Sequence, residues 1–197
     1  MKRINVVLFD DFTILDAFGP VDVFNRLHTH YTIDFFSLNG ERVRAAQNLL
    51  IETKSFECIT HNDLLLVPGG FGTRRLVDDT AFISALRELA VKSEYVLSVC
   101  TGSALLAKAG LLDGLRATSN KMSLEWVISQ GPGVNWVRRA RWVSDGKYYT
   151  SSGVSAGIDM ALAFVNDTFG EDTAVKIAAS LEYIRHSDPS EDPFAKS

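Results

Sequence analysis

The chain has 197 residues, 46% of them hydrophobic and 22% charged, and its 20 Lys and Arg against 24 Asp and Glu leave a net charge of −4. That composition excludes a disordered, collagen-like or disulfide-framework protein, and a chain of this length buries roughly 70% of its unfolded surface without needing a metal or disulfide. The acidic balance is a poor match for a nucleic-acid backbone, and no 18-residue apolar run is present to span a membrane.

In chain order, residues 4–9 form an apolar, β-branched run that ends at Asp10-Asp11 and reads as a first strand rather than a signal peptide. Residues 17–27 carry Phe18, Val21, Phe24 and Leu27 at helical spacing. A second strand over 31–38 stops at Asn39-Gly40, and residues 41–45 with 49–53 suggest a small hairpin. A third strand, 64–67, is stopped by Pro68-Gly69-Gly70; a helix over 80–91 follows, then a fourth strand over 95–99 and a helix over 102–109. Residues 140–144 and 148–151, joined through Asp145-Gly146, predict a second hairpin, and helices are expected over 156–169 and 171–181.

Strands this short and apolar suit burial on both faces, so the alternation predicts βαβ units in an α/β sandwich with a mostly parallel sheet. One domain is expected over residues 1–187, with 188–197 an extended, exposed tail that could lie across a partner subunit. The cluster Arg138, Arg139 and Arg141 reads as a solvated strand edge. With no export signal, the expected compartment is the cytoplasm and both cysteines, Cys58 and Cys100, are expected as free thiols.

Three places carry chemistry. At Ser98-Val99-Cys100-Thr101-Gly102-Ser103 an apolar strand ends at a cysteine and a helix of small residues starts at once, the setting of a nucleophile elbow. Unpaired N–H groups and the positive dipole end of that helix favour a thiolate at Cys100, against which stands an inert buried cysteine. The run Pro68-Gly69-Gly70-Phe71-Gly72 offers backbone N–H groups that can receive developing negative charge, or is a plain turn; it lacks the Lys-Ser/Thr of a phosphate loop. Asp16, between apolar residues just before a helix, is either an N-cap or a carboxylate that moves a proton near the thiol. His28, His30, His61 and His186 lack metal-ligand spacing with the cysteines, so no metal or other cofactor is expected. Phe71, Met122 and Trp126 are candidates for apolar pocket lining, with a core role the competing reading.

These segments together resemble the ThiJ/PfpI superfamily, whose fold is that of class I glutamine amidotransferases. The resemblance runs over nearly the whole chain: Leu15-Asp16 with Gly19-Pro20, Val67 to Gly72, the elbow, Ala109 to Gly114, Arg116-Ala117-Thr118, Thr150 to Asp159, and Leu181-Glu182-Tyr183. It implies a flavodoxin-like α/β sandwich. Within the superfamily the chain is most similar to isocyanide hydratases, which share the Ser-Val-Cys-Thr-Gly-Ser elbow and the early Asp. That similarity makes Cys100 the nucleophile and Asp16 the group that positions or activates water. Thr101 tunes the elbow, while Gly70, with Gly69, Phe71 and Asn120 around it, binds substrate or oxyanion. It also implies a homodimer acting on a small molecule. One departure stands out: many relatives have Thr-Thr-His-Trp where this chain has Thr118-Ser119-Asn120-Lys121. Asn120 cannot titrate, which removes support for a Cys-His protease or amidase.

The leading expectation is therefore a cofactor-free hydratase that turns isocyanides into N-substituted formamides through a thioimidate on Cys100. Its rivals are glyoxalase- or deglycase-type chemistry on reactive dicarbonyls, which more often uses Glu with a His partner, and a cysteine redox or ligand sensor. The chain ends soon after the α/β part, so an appended DNA-binding helix-turn-helix is not expected.

Overall fold

The computed structural model describes residues 1–195, apart from the side chain of Gln47. Seven strands form one sheet. In chain order they are β1 (Lys2–Val7) and β2 (Tyr31–Ser37), then, after the small β3 (Arg42–Arg44) and β4 (Leu50–Glu52) hairpin, β5 (Lys54–Ser55), β6 (Leu64–Val67) and β7 (Tyr95–Val99). After β8 (Arg116–Ala117) and β9 (Asn135–Trp136), which pair with each other, come β10 (Trp142–Asp145) and β11 (Tyr148–Ser151). The sheet order is β10-β11-β7-β6-β1-β2-β5. Every pairing is parallel except the β10–β11 hairpin, in which Trp142 faces Ser151 and Asp145 faces Tyr148 around Gly146. The other expected hairpin is also present, with Val43 opposite Ile51.

Burial explains why these runs become strands. Leu64–Val67 and Ile4–Val7 are buried at every position, as required of central parallel strands covered on both faces. The cover comes from α1 (Ile14–Asn25), α2 (Thr73–Leu76), α3 (Thr80–Lys92), α4 (Gly102–Lys108), α5 (Leu124–Gln130), α6 (Ala156–Phe169) and α7 (Glu171–Ser180). Helix α6 packs between α1 and α7, whereas α4 packs among α2, α3 and α5. Helix α3 starts where the Asp79 carboxylate accepts from the Phe82 N–H at 3.0 Å, and α6 ends at Gly170 with φ of 87°. An aromatic cluster of Phe24, Tyr95, Tyr149 and Phe164 fills the space beneath α6, with ring centroids 5.0–5.9 Å apart around Phe164.

Two expectations about the surface are corrected. Arg141 is not on a solvated edge: its side chain is 4% exposed, and Nε and Nη2 meet Asp159 Oδ2 at 2.7 and 2.6 Å. Tyr183 Oη also donates to that oxygen, and the His186 N–H donates to Asp159 Oδ1. A buried guanidinium needs such partners, because unpaired it would cost several kcal/mol, roughly 3–5. Nor is the tail exposed throughout. The Arg141 N–H donates to Pro189 O, the Asp192 N–H donates to Arg139 O, and Asp192 is buried with Oδ2 3.9 Å from Arg141. Residues 196 and 197 of the expected tail lie outside the described residues. Arg138 and Arg139 are exposed and pair with Glu125 and Glu191.

Candidate active site

Strand β7 ends at Val99, and the chain turns into α4 through Cys100, whose φ of 57° is rare for a residue with a side chain. A strained residue of this kind costs of order 1–3 kcal/mol and persists only where its surroundings over-determine it. They do so here. The Cys100 N–H donates to Ser152 O at 3.2 Å, and Cys100 O accepts from Ser103 Oγ at 3.1 Å and Ser119 Oγ at 2.7 Å. Gly102 then allows α4 to meet the sheet, since a Cβ at that position would lie 2.3 Å from Val67 O. The elbow read from the sequence is thus present, and Cys100 is 7% exposed at its apex.

Asp16 is not an N-cap. Helix α1 begins three residues earlier than expected, at Ile14, with Thr13 at the cap, so Asp16 falls in the first turn and points inward. It is fully buried. Its Oδ2 accepts from the Gly69 N–H at 3.0 Å, while Oδ1 has no hydrogen-bond partner among the described residues. The carboxyl lies beside the Cys100 sulfur, and burial raises its pKa to about 7.

The two catalytic candidates therefore constrain each other. Burial, together with the negative charge of Asp16, pushes the Cys100 thiol up to about 12, against the opposing pull of the Thr101 N–H and hydroxyl. The helix end that favours a thiolate is opposed here: α4 spans only seven residues, and the sulfur is buried beside a carboxylate. At neutral pH the resting pair holds a protonated sulfur next to a carboxyl group that titrates in the working range.

The glycine amides are also employed differently from the expectation. The Gly69 N–H is committed to Asp16, and the Gly70 N–H donates to Thr101 Oγ1 at 3.0 Å. Neither is free for an oxyanion. They brace the pair instead, and Thr73 Oγ1 adds to this brace, 2.7 Å from Gly70 O and 3.1 Å from Thr101 Oγ1. The fit is close: a Cβ on Gly69 would sit 2.5 Å from Thr101 N and 3.0 Å from Asp16 Oδ2, and Gly70 adopts φ of 131°.

Above the sulfur is a cavity of about 180 Å³ lined by Thr13, Gly70, Phe71, Arg74, Thr101, Asn120, Ser123 and Val154. It lies at the C-terminal ends of the strands, where open α/β sheets bind ligands. A larger hollow of about 670 Å³ near Lys2, Tyr31 and Tyr95 lies at the opposite ends of the strands and is lined by no cysteine. The smaller one holds Cys100. It is below the roughly 300 Å³ at which pockets for drug-sized ligands begin, so it suits a small electrophile. Asn120 borders it, with Oδ1 accepting from the Met122 and Ser123 N–H groups and Nδ2 over Gly153. Phe71 is 83% exposed at its rim. Met122 is exposed and does not line the cavity, whereas Trp126 packs partly buried beneath Arg74.

Arg74 and Ser123 are wall residues that no motif or spacing singles out. Lys121, next to Asn120, turns away: its Nζ donates to Thr118 Oγ1 and Ala140 O, and burial lowers its pKa to about 8. Cys58 is an exposed free thiol. No group of three potential metal ligands occurs among the described residues, and no helix among them is long and apolar enough to cross a membrane.

Comparison with known proteins agrees with this fold. The sequence model described as the DJ-1/PfpI family matches residues 2–167. The isonitrile hydratase of Pseudomonas putida is 34% identical over 182 residues, which cover 92% of this chain and 78% of that one. The HTH-type transcriptional regulator CdhR of Pseudomonas aeruginosa is 31% identical over 83% of this chain, which spans about half (49%) of the regulator. Among solved structures, a ThiJ/PfpI family protein from Pseudomonas syringae superposes with a TM-score of 0.85 at 26% identity, covering 94% of this chain and 76% of that one.

Proposed function

The chain belongs to the DJ-1/PfpI family, and on that premise we propose that it is a cysteine-dependent hydratase converting isocyanides to N-substituted formamides. The observation that carries this reading is the buried pair of Cys100 and Asp16: a protonated sulfur beside a carboxyl group whose pKa is raised to about 7. A terminal isocyanide carbon needs a nucleophile and a proton at the same atom, and this pair supplies both.

Atoms and protons balance along the path. The sulfur of Cys100 bonds to the isocyanide carbon while its proton passes to the Asp16 carboxylate. Asp16 returns that proton to the same carbon, which gives a thioimidate, R–N=CH–S–Cys. A water molecule then gives a proton to Asp16 as its oxygen adds to the carbon, and Asp16 passes that proton to the nitrogen. The C–S bond breaks as the new hydroxyl proton moves to sulfur, and the products are R–NH–CHO and the free thiol. Asp16 Oδ1, without a partner of its own, is the oxygen that exchanges protons, while Oδ2 stays fixed by Gly69. Thr101 holds the sulfur, and Asn120 Nδ2 is the donor on the pocket wall for the substrate nitrogen. The reaction takes a small molecule and calls on no metal or cofactor. It is proposed for a cytoplasmic homodimer whose catalytic domain spans residues 1–187.

The name of the Pseudomonas putida relative supports this reading. The test is hydration of an aromatic isocyanide by purified protein, followed by formamide absorbance, with Cys100→Ala alongside. Formamide from wild type only is the expected result. No formamide from either protein refutes hydration of that class and turns attention to methylglyoxal as substrate.

A further inference from the structure

Arg74 stands on the pocket wall together with the nucleophile, and nothing in the hydration steps uses it. Its guanidinium lies over the Trp126 ring, 3.5 Å from the centroid, and Nη2 donates to Ser123 Oγ at 3.1 Å. Trp126 and Ser123 are in turn placed by Asn120, whose Oδ1 fixes the turn into α5, and Arg74 itself sits on α2, which Thr73 clamps to the elbow. The fork is therefore held in place before any ligand arrives. Among the described residues Arg74 has no carboxylate partner, and Nε and Nη1 make no hydrogen bond. Its neighbours differ in this respect: Arg75 pairs with Asp11, Arg138 with Glu125 and Arg141 with Asp159.

The rest of the wall points the same way. Thr13, Thr101 and Ser123 contribute hydroxyls and Asn120 an amide, and no carboxylate lines the cavity. Asp16 is fully buried behind the sulfur and is not among the lining residues. A pocket with one fixed, unpaired cation, several donors and no lining anion is complementary to negative charge, and a guanidinium fork matches a carboxylate in shape.

We propose that Arg74 is a specificity-determining residue that selects small electrophiles carrying a carboxylate, so that the natural substrate is an anionic isocyanide. The substrate class rests on the hydratase reading above; the anion preference itself does not.

Two measurements separate them. The first follows hydration of isocyanoacetate and of its neutral methyl ester by wild type, Arg74→Gln and Arg74→Lys. The carboxylate-to-ester ratio of kcat/KM is expected to fall about tenfold or more in Arg74→Gln and to recover in part in Arg74→Lys, which keeps the charge without the fork. The second needs no turnover. In a Cys58→Ser background, Cys100 is alkylated by iodoacetate and by iodoacetamide, each rate divided by that of glutathione with the same reagent. The iodoacetate preference of wild type is expected to drop about fivefold in Arg74→Gln. A purely structural role for the stack on Trp126 would change both reagents alike. Equal ratios in wild type and Arg74→Gln overturn the inference. An Arg74-dependent preference for iodoacetate with no formamide from either isocyanide keeps it and overturns the hydratase reading.

Discussion

Replacing Asp16 with asparagine should make the protein more stable and inactive. In the folded chain this carboxyl ionises near 7 rather than at 3.8, because burial opposes its charge more than the Gly69 N–H favours it. At about 1.36 kcal/mol for each pH unit of displacement, the ionised side chain costs the fold about 4 kcal/mol at pH 8. Proton binding sets the sign. Between pH 4 and 7 the folded state holds a proton that the unfolded state has released, so wild-type stability falls as pH rises through that window and the loss is complete above it. The amide introduced by Asp16→Asn keeps the acceptor for the Gly69 N–H and carries no charge. Its NH2 group has no oxygen partner in this position, which returns about 1–3 kcal/mol of the gain. The net expectation is a variant about 1–3 kcal/mol more stable at pH 8, or about 3–10 °C in Tm, with the advantage lost between about pH 4.5 and 6 and reversed near pH 4, where only the amide's penalty is left. Turnover should fall about 10²- to 10⁴-fold. The Cys100 thiol should meanwhile titrate lower, since the neighbouring negative charge is gone. Thermal melts of both proteins between pH 4 and 8 measure the stability difference, formamide absorbance measures turnover, and thiolate absorbance at higher pH follows the thiol. A stability difference that does not grow with pH would refute the claim that Asp16 is a carboxyl held out of its ordinary range.

Two further outcomes follow from the same geometry. If the carboxylate form of Asp16 accepts the thiol proton, kcat/KM for a non-titrating isocyanide should be level above about pH 7 and fall about tenfold per unit below it, and a flat profile from pH 5 to 8 would exclude that role. Gly102→Ala places a methyl 2.3 Å from Val67 O and 2.8 Å from Pro68 O, both backbone atoms that cannot step aside, so α4 must shift. A loss of about 2–3 kcal/mol in urea unfolding is expected, and an unchanged midpoint would mean that the helix does not approach the sheet this closely.

The central sheet was legible because its strands are short apolar runs buried on both faces, so composition alone marks Leu64–Val67 and Tyr95–Val99. The two-residue strands β5, β8 and β9 were not. Their residues are placed by partners far along the chain, as when the Arg116 N–H meets the Asp145 carboxylate. Helix α2 and helix α5 are hard to read for a similar reason: each is short, α2 buries only Thr73 and α5 only Leu124 and Val127, and contacts of Thr73 and Asn120 help to hold them. At the site, Cys100 was readable from an abrupt change of strand into small residues. What each glycine N–H would bond to was not, since Gly69 and Gly70 meet Asp16 and Thr101 only in the fold. Arg74 and Arg75 are adjacent and identical as letters. One pairs with Asp11 and the other faces the nucleophile, a difference that arises only once α2 is docked on the elbow. Asp159 and Tyr183 stand in the sequence only as parts of matching motifs; that Asp159 balances the charge of Arg141 while the Tyr183 hydroxyl donates to the same carboxylate emerges from segments brought together across the sheet edge.

The position of Asp16 behind the sulfur, rather than on the cavity wall, has a consequence for how this protein can change. The reacting pair is anchored by main-chain amides and by the β7–α4 turn, whereas the cavity's selective side chains come from α2 and the approach to α5. Substitutions at Arg74, Asn120 or Ser123 can reshape what enters while leaving the proton exchange between Asp16 and Cys100 undisturbed. The machinery of bond making and the choice of guest are thus separately editable, and a lineage built on this plan can change its diet without reinventing its chemistry.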